Sequence, residues 1–383
     1  MLFMNRETLH TLWLLGAVGF ILAAAACAPT LKTTTVSREA AEAERQKQLE
    51  MAFSLEAQRN DRLLNVSYPL LVAGTELCGS DVGGNYGFRF HNKEAYKEDY
   101  REIAARYFWL DDRIAVRYVH PKSPAAAAGL KTGDRILEIN GESVQKETVE
   151  ETAGLIRDYL KKSAPPQEPP VLNLKIARGD QVQQISVKGV NTCKYRVVLQ
   201  NADVVNAFAD GNQVVITTGM IRFAESDTEL ALVVGHEISH NALGHIKKKT
   251  VNAIPGMILD VAIGVFTGVR SNIFSNMGGQ AFSQQFEAEA DYAGLYIAAR
   301  AGYNLKSAAN FWRRMAAEHP GSITASFGAS HPSTPERFIA IEQTVKEIVE
   351  KRRIGAPLLP EKKETEKKEA TSFKKDGEPI GDR

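Results

Sequence analysis

Apolar residues along the chain follow three patterns, and each predicts its own elements. The first is a run: residues 9–26 are apolar except for His10 and Thr11, with Arg6 ahead and small residues at the end, the layout of a secretory signal. The second is helical composition. Residues 37–65 contain Ala, Glu, Gln, Arg and Leu without Gly or Pro, which predicts a helix, and its incomplete apolar stripe at Leu49 and Phe53 suits docking rather than a coiled coil. Helices are also predicted at 148–162, 307–318 and 335–351, with a helical insertion at 93–110. The third is alternation, which predicts strands at 114–119, 135–139, 171–177, 182–187, 195–199 and 213–217. Gly133-Asp134, Asn140-Gly141 and Asp210-Gly211 supply turns. Residues 28–36 read as a polar tether, 164–170 as a proline-rich loop and 353–383 as a disordered charged tail.

At 383 residues the chain has room for about two or three domains. Its 44% hydrophobic and 24% charged content is that of a soluble globular protein, and a net charge of +1 gives no sign of a nucleic-acid partner. Cysteine usage changes the picture more. Cys27, Cys78 and Cys193 form no Cys-x-x-Cys pair, which excludes a four-cysteine structural zinc site. Behind a secretory signal, Cys78 and Cys193 are expected to pair, and closing a loop of about 115 residues would contribute around 4 kcal/mol.

The strongest chemical signal is His236-Glu237-Ile238-Ser239-His240. Residues four apart on a helix share a face, so His236 and His240 can both present a ring nitrogen to one metal ion, with Glu237 beside it. In an H-E-x-x-H site, zinc with an open fourth position lowers the pKa of water to about 7 and the glutamate takes its proton. Leu230, Leu232, Val233 and Val234 make the preceding turns apolar, as in a buried active-site helix. The strand at 213–217, just ahead, is where substrate backbone could pair at an active-site edge.

A third ligand is needed. His245 is nearest, but its spacing is one residue short of H-E-x-x-H-x-x-G-x-x-H, which turns it about 100 degrees off the face. It reads as a helix-end or outer residue. Glu287 and Asp291, four apart, share a helix face while Glu289 points elsewhere, so one carboxylate can bind the metal and the other can orient a ligand histidine. Residues 253–269 read as a buried or lid helix over the cleft, since seventeen or so residues with Pro255 and Asp260 are marginal for a membrane span.

Three stretches resemble known families. Residues 78–190, with Lys131-Thr-Gly-Asp-Arg-Ile-Leu-Glu-Ile-Asn-Gly141 at their centre, resemble a PDZ domain, which binds an extended peptide as an added strand. Asn85-Tyr86-Gly87-Phe88 is similar to the carboxylate-binding loop of these domains, with Asn85 in place of the first glycine, so Tyr86, Gly87 and Phe88 are the implied peptide contacts. Ala24-Ala25-Ala26-Cys27 resembles the bacterial lipoprotein box, with Ala24 where leucine is usual. That implies lipidation of Cys27 and, with Ala28 following, the outer membrane. H-E-x-x-H followed by Glu287-Ala-Glu-Ala-Asp291 is similar to the gluzincin family of the CAAX prenyl protease, HtpX and BepA-like endopeptidases, over about residues 195–350. This resemblance makes Glu287 the third zinc ligand and Asp291 its outer partner. His331-Pro332 with Arg337 resembles the downstream H-P-x4-R element of that family, where His331 or Arg337 could stabilise an oxyanion, or His331 could cap the zinc.

The expected fold is α+β and multidomain: a PDZ-like small β-barrel domain, then a mainly α-helical zincin metallopeptidase domain with a short β-sheet. Residues 1–27 are the lipoprotein signal peptide, 28–77 the tether and N-terminal helix, 78–193 the PDZ domain, 194–352 the peptidase domain and 353–383 the tail. The expected function is hydrolysis of envelope proteins with one Zn2+ per chain, protein or peptide substrates, a lipid-anchored attachment to membrane and no nucleic acid. A competing expectation is a non-catalytic periplasmic scaffold that binds chain ends through the PDZ groove.

Overall fold

The computed structural model describes residues 31, 34–162, 168–248, 283–318 and 334–362. The signal-like residues 1–27 with Cys27, the segment at 253–269, His331 and residues 363–383 lie outside the described residues. The chain divides into two compact units, and the second, Phe53–Arg383, carries every contact discussed below.

Helix α1 (Arg38–Ala73) runs past the predicted end at residue 65 and through Pro69. A proline inside a helix leaves the carbonyl four residues back without its N–H partner. Here that carbonyl belongs to Asn65, and His120 Nε2 lies 3.3 Å from it. His120 Nδ1 accepts from the Lys122 N–H at 3.1 Å, so Nε2 carries the proton and donates to the orphaned carbonyl. Leu63, Val66, Leu70 and Leu71 are buried on this stretch, and their burial holds the helix together across the proline.

The PDZ-like region comprises β1 (Val82–Asn85), β2 (Phe88–His91), α2 (Glu98–Phe108), β3 (Ala115–Val119), α3 (Pro124–Ala127), β4 (Arg135–Ile139), β5 (Glu142–Ser143), α4 (Val149–Leu160), β6 (Val171–Arg178), β7 (Gln181–Lys188) and β8 (Val190–Cys193). The main sheet runs β2-β3-β4-β6-β7, with β5 beside β4, and β1 pairs separately with β8. Alternation on β6 buries Leu172, Leu174 and Ile176 against Ile114, Val116 and Ile136. Thr148 and Glu151 form a reciprocal capping box at the start of α4. The helical insertion predicted at 93–110 contains α2, and it clasps α1: Phe53 meets the rings of Tyr96, Tyr107 and Phe108 at 5.6–5.7 Å.

The last part comprises β9 (Arg196–Gln200), β10 (Ala207–Ala209), β11 (Gln213–Thr217), α5 (Thr218–Phe223), α6 (Asp227–Ala242), α7 (Ser283–Arg300), α8 (Ala308–Glu318) and α9 (Pro335–Arg353). The sheet order is β10-β11-β9, with β11 parallel to β9 and antiparallel to β10. The strand expected at the active-site edge, β11, is therefore the middle strand. The tight turn at Gly211 folds β10 back against it, and β10 takes the edge nearer α6. One apolar cluster gathers Leu230, Val234 and Ile238 of α6, Tyr296 and Ile297 of α7, Phe311 of α8, and Ile341 and Ile348 of α9.

Cys78 and Cys193, 115 positions apart in sequence, are joined by a disulfide inside this same cluster, with their Cα atoms 5.7 Å apart. The bond ties the ends of the PDZ-like region to the core that supports α6 and α7. Beyond α9, the described part of the expected tail continues to residue 362 as an extended segment held on the helices. Lys351 Nζ donates to the Leu359 carbonyl at 3.0 Å and pairs with Glu361, whose N–H donates to the Tyr292 hydroxyl. No helix among the described residues is long and apolar enough to cross a membrane.

Candidate metal centre

Helix α6 is buried along its whole length from Leu230 to Asn241, and its ends are fixed by local chemistry. Ser226 caps the first turn by accepting from the Glu229 N–H at 3.2 Å, and the Glu229 carboxylate accepts from the Glu225 N–H. At the other end Asn241 ties the helix to the sheet: its Oδ1 accepts from Gly211 N at 2.7 Å and its Nδ2 donates to the Gln213 carbonyl at 3.1 Å. That pair of bonds holds the β10–β11 hairpin beside the last turn of the helix.

Helix α7 crosses α6 with backbone nearly in contact. A methyl group built on Gly294 would lie 2.8 Å from His236 N, and one on Gly235 would lie 3.0 Å from the Gly294 carbonyl oxygen. Only paired glycines permit this approach. It brings the first turns of α7 over the H-E-x-x-H face.

At that crossing His236, His240 and Glu287 converge, with one ligand atom from each lying within 4.8 Å of the others. His236 Nε2 and His240 Nε2 are 3.0 Å apart, and each lies 3.3 Å from a Glu287 oxygen. Three ligands on one face of a zinc tetrahedron, with bonds of about 2.0–2.1 Å, stand roughly 3.3 Å apart. The donor set therefore fits a zinc ion in both identity and spacing. All three side chains are at most 2% exposed, and so is Glu237.

The other predicted residues fall into place around this triangle. Asp291 Oδ1 lies 2.8 Å from His236 Nδ1, so the ring donates outward there and turns Nε2 toward the convergence. Arg337 stands behind Asp291: Nε and Nη2 grip that carboxylate at 2.5 and 2.9 Å, and Nη1 reaches Glu287 at 3.5 Å. It packs over Trp312 at 5.0 Å, and that indole also faces His236 at 5.4 Å. Burial favours the neutral form of His236, yet the hydrogen bonds and charges of Asp291 and Glu287 push it up to about 10. Burial likewise opposes the Asp291 carboxylate, but Arg337 and His236 hold it below its ordinary range. The same negative field that holds a proton on His236 attracts a divalent cation.

His245 and Glu289, both read in the sequence as standing off the ligand face, do so and meet each other behind His240. Helix α6 stops at Ala242, and Gly244 at φ +66° reverses the chain, so His245 returns under His240 with 3.0 Å between their Nδ1 atoms. Glu289 points away from the triangle and meets His245 Nε2 at 3.1 Å. Glu289, Asn241 and Trp312 were not among the sequence candidates; the one legible signal was Gly244, a helix terminator one residue before a histidine.

Of the loop residues implied as peptide contacts, Tyr86 and Phe88 are buried and line a groove between β2 and α4, while Gly87 adopts φ +78° and its N–H is taken by Asn85 Oδ1 at 2.8 Å.

Comparison with known proteins agrees with this geometry. Residues 180–345 match the model of peptidase family M48, and residues 116–159 match a PDZ domain. The chain is 27% identical over 174 residues to mitochondrial metalloendopeptidase OMA1 of Arabidopsis thaliana, covering 44% of this chain and 35% of that one. It is 29% identical over 174 residues to OMA1 of Schizosaccharomyces pombe, covering 44% and 52%. To the beta-barrel assembly-enhancing protease of Yersinia pestis it is 28% identical over 143 residues, covering 32% and 28%. These matches thus span from under a third to about half of each relative's own length. The chain carries a metallopeptidase domain of family M48 joined to a PDZ domain.

Proposed function

We propose that the protein is a zinc-dependent endopeptidase of the bacterial cell envelope that hydrolyses misfolded or misassembled envelope proteins. The convergence of His236, His240 and Glu287, with Glu237 on the same buried helix, is the observation that carries this reading. A zinc ion held by those three side chains supplies a Lewis acid that brings a water pKa down to about 7. Glu237 takes the proton of the attacking water and delivers it to the leaving amine nitrogen. Asp291 keeps His236 in the tautomer that faces the metal, and Arg337 keeps Asp291 ionised. The β10 edge, fastened by Asn241, is placed to pair with extended substrate. The disulfide suits an oxidising compartment, and Cys27 is the proposed site of lipid attachment at the outer membrane.

The purified chain is expected to hold one zinc by elemental analysis and to cleave unfolded casein. Cleavage stops on dialysis against a chelator and returns with zinc. A zinc-loaded chain that cleaves no unfolded protein would instead favour the scaffold reading.

The PDZ groove sharpens the substrate class. Strand β2 ends the sheet, so its free edge can accept an added strand, and α4 supplies an apolar wall of Val149, Ala153, Ile156 and Leu160. Arg89 of β2 and Arg196 of β9 line the same groove. The Arg89 and Arg196 guanidinium charges repel one another across the groove, a repulsion that a carboxylate between them relieves. The groove is proposed to take an apolar peptide end carrying a carboxylate. Fluorescence anisotropy with a labelled peptide ending in valine should show about tenfold weaker binding for Arg89→Glu with Arg196→Glu; equal binding by parent and double variant contradicts the assignment.

A further inference from the structure

Each imidazole of the metal triangle has two nitrogens, and only one can face the ion. For His236 the outward nitrogen meets Asp291 directly. The outward nitrogen of His240 meets a second histidine, His245, at 3.0 Å, and that ring reaches Glu289 at 3.1 Å with its other nitrogen. The ring of His245 is fully buried and stacks on Phe286 at 4.6 Å, whereas Glu289 is 51% exposed.

The proton positions follow from counting donors. His240 Nε2 faces His236 and Glu287, so in a ligating ring that nitrogen carries the lone pair and Nδ1 carries the hydrogen. A 3.0 Å contact between two ring nitrogens needs one donor and one acceptor, so His245 Nδ1 accepts. Its Nε2–H is then left to donate, and the acceptor 3.1 Å away is Glu289 Oε2. The chain Glu289, His245, His240 has a single consistent direction, and it ends with a lone pair aimed at the metal position.

We propose that His245 and Glu289 are positioning residues that set the tautomer and ring orientation of His240 as a zinc ligand. On this assignment all three acids at the start of α7 serve one centre: Glu287 as ligand, Asp291 behind one histidine and Glu289 behind the other through His245. The local reason is Gly244. Its left-handed conformation ends the helix and swings His245 beneath His240, a place that position 245 of a continued helix, five residues on and turned away, would not reach.

This inference rests on the zinc-peptidase reading, and its test separates the two. Zinc affinity of the full chain is measured by competition with a chromogenic chelator, and the ligand field by the visible spectrum of the cobalt-substituted protein. His245→Leu removes the acceptor and is expected to weaken zinc binding by about 10–100-fold and to shift the cobalt bands. His245→Asn restores an acceptor near the Nδ1 position and recovers most of the affinity. Glu289→Gln, at a half-exposed position that leaves folding intact, keeps an acceptor without its charge and weakens binding by several-fold. Zinc affinity and cobalt spectra in His245→Leu and Glu289→Gln that match the parent overturn the relay, as does a His245→Asn chain no better than His245→Leu. A parent chain that binds no zinc overturns the function reading itself.

Discussion

Replacing Glu237 by Gln is expected to lower peptide cleavage by about two to four orders of magnitude while the chain still binds its zinc. The argument is geometric. Glu237 sits between the two ligand histidines in sequence, is 2% exposed, and is not one of the three groups that converge on the metal position. Gln has the same shape and keeps the packing of α6, so the melting temperature should hold. What Gln lacks is a basic carboxylate oxygen. The attacking water then keeps its proton and the leaving nitrogen receives none. Rates on unfolded casein and zinc content by elemental analysis decide the matter together. Full activity in this variant removes Glu237 from the mechanism, whereas lost activity with lost zinc would make it a structural residue.

The periodicity of a single helix told most of the site. Two histidines four apart and two carboxylates four apart were legible because each pair lives on one element, where 3.6 residues per turn fixes the face. His245 was legible as standing off the ligand face, but its contact with His240 was not, because that logic assumes the helix continues. It ends at Ala242, and once Gly244 reverses the chain, spacing no longer predicts direction. Glu289 was legible only as pointing away from its neighbours; its partner comes from a different element. The position of Arg337 inside the Asp291 and Glu287 pair has the same origin, since nothing local to α9 announces which buried acid it will meet.

The fold shows the same boundary between local and distant information. In the PDZ-like region β3, β4, β6 and β7 follow from alternation, whereas the short strands β1, β2, β5 and β8 and the pairing order do not, and the middle place of β11 depends on β10 folding back from Gly211. Helix α1 outlasted its predicted end because a local cost, Pro69, is met by a remote group. His120 supplies the hydrogen bond that the proline cannot. Likewise Arg196 lines the PDZ groove although it belongs to the strand that begins the peptidase sheet, so the groove is built from both domains.

The crossing of α6 and α7 gives the second large effect. Gly294→Ala should cost about 1–3 kcal/mol in overpacking and, beyond that, abolish high-affinity zinc binding. The new methyl would stand 2.8 Å from His236 N and 3.0 Å from the Gly235 carbonyl carbon, both backbone atoms that cannot swing aside. Comfortable contact needs about 3.5 Å, so the helices must separate by roughly 0.7 Å, more than the ~0.5 Å a metal site tolerates. Glu287 and Asp291 ride on α7 and the two histidines on α6, so the separation opens the ligand triangle and the His236–Asp291 bond at once. The same change at Gly154 in α4, where an added methyl meets nothing within 4 Å, should raise stability by about 0.5–1 kcal/mol through helix propensity alone. Thermal melts and chelator competition on both variants compare an identical substitution in two surroundings. If Gly294→Ala retains parental zinc affinity, close backbone approach is not what assembles the centre.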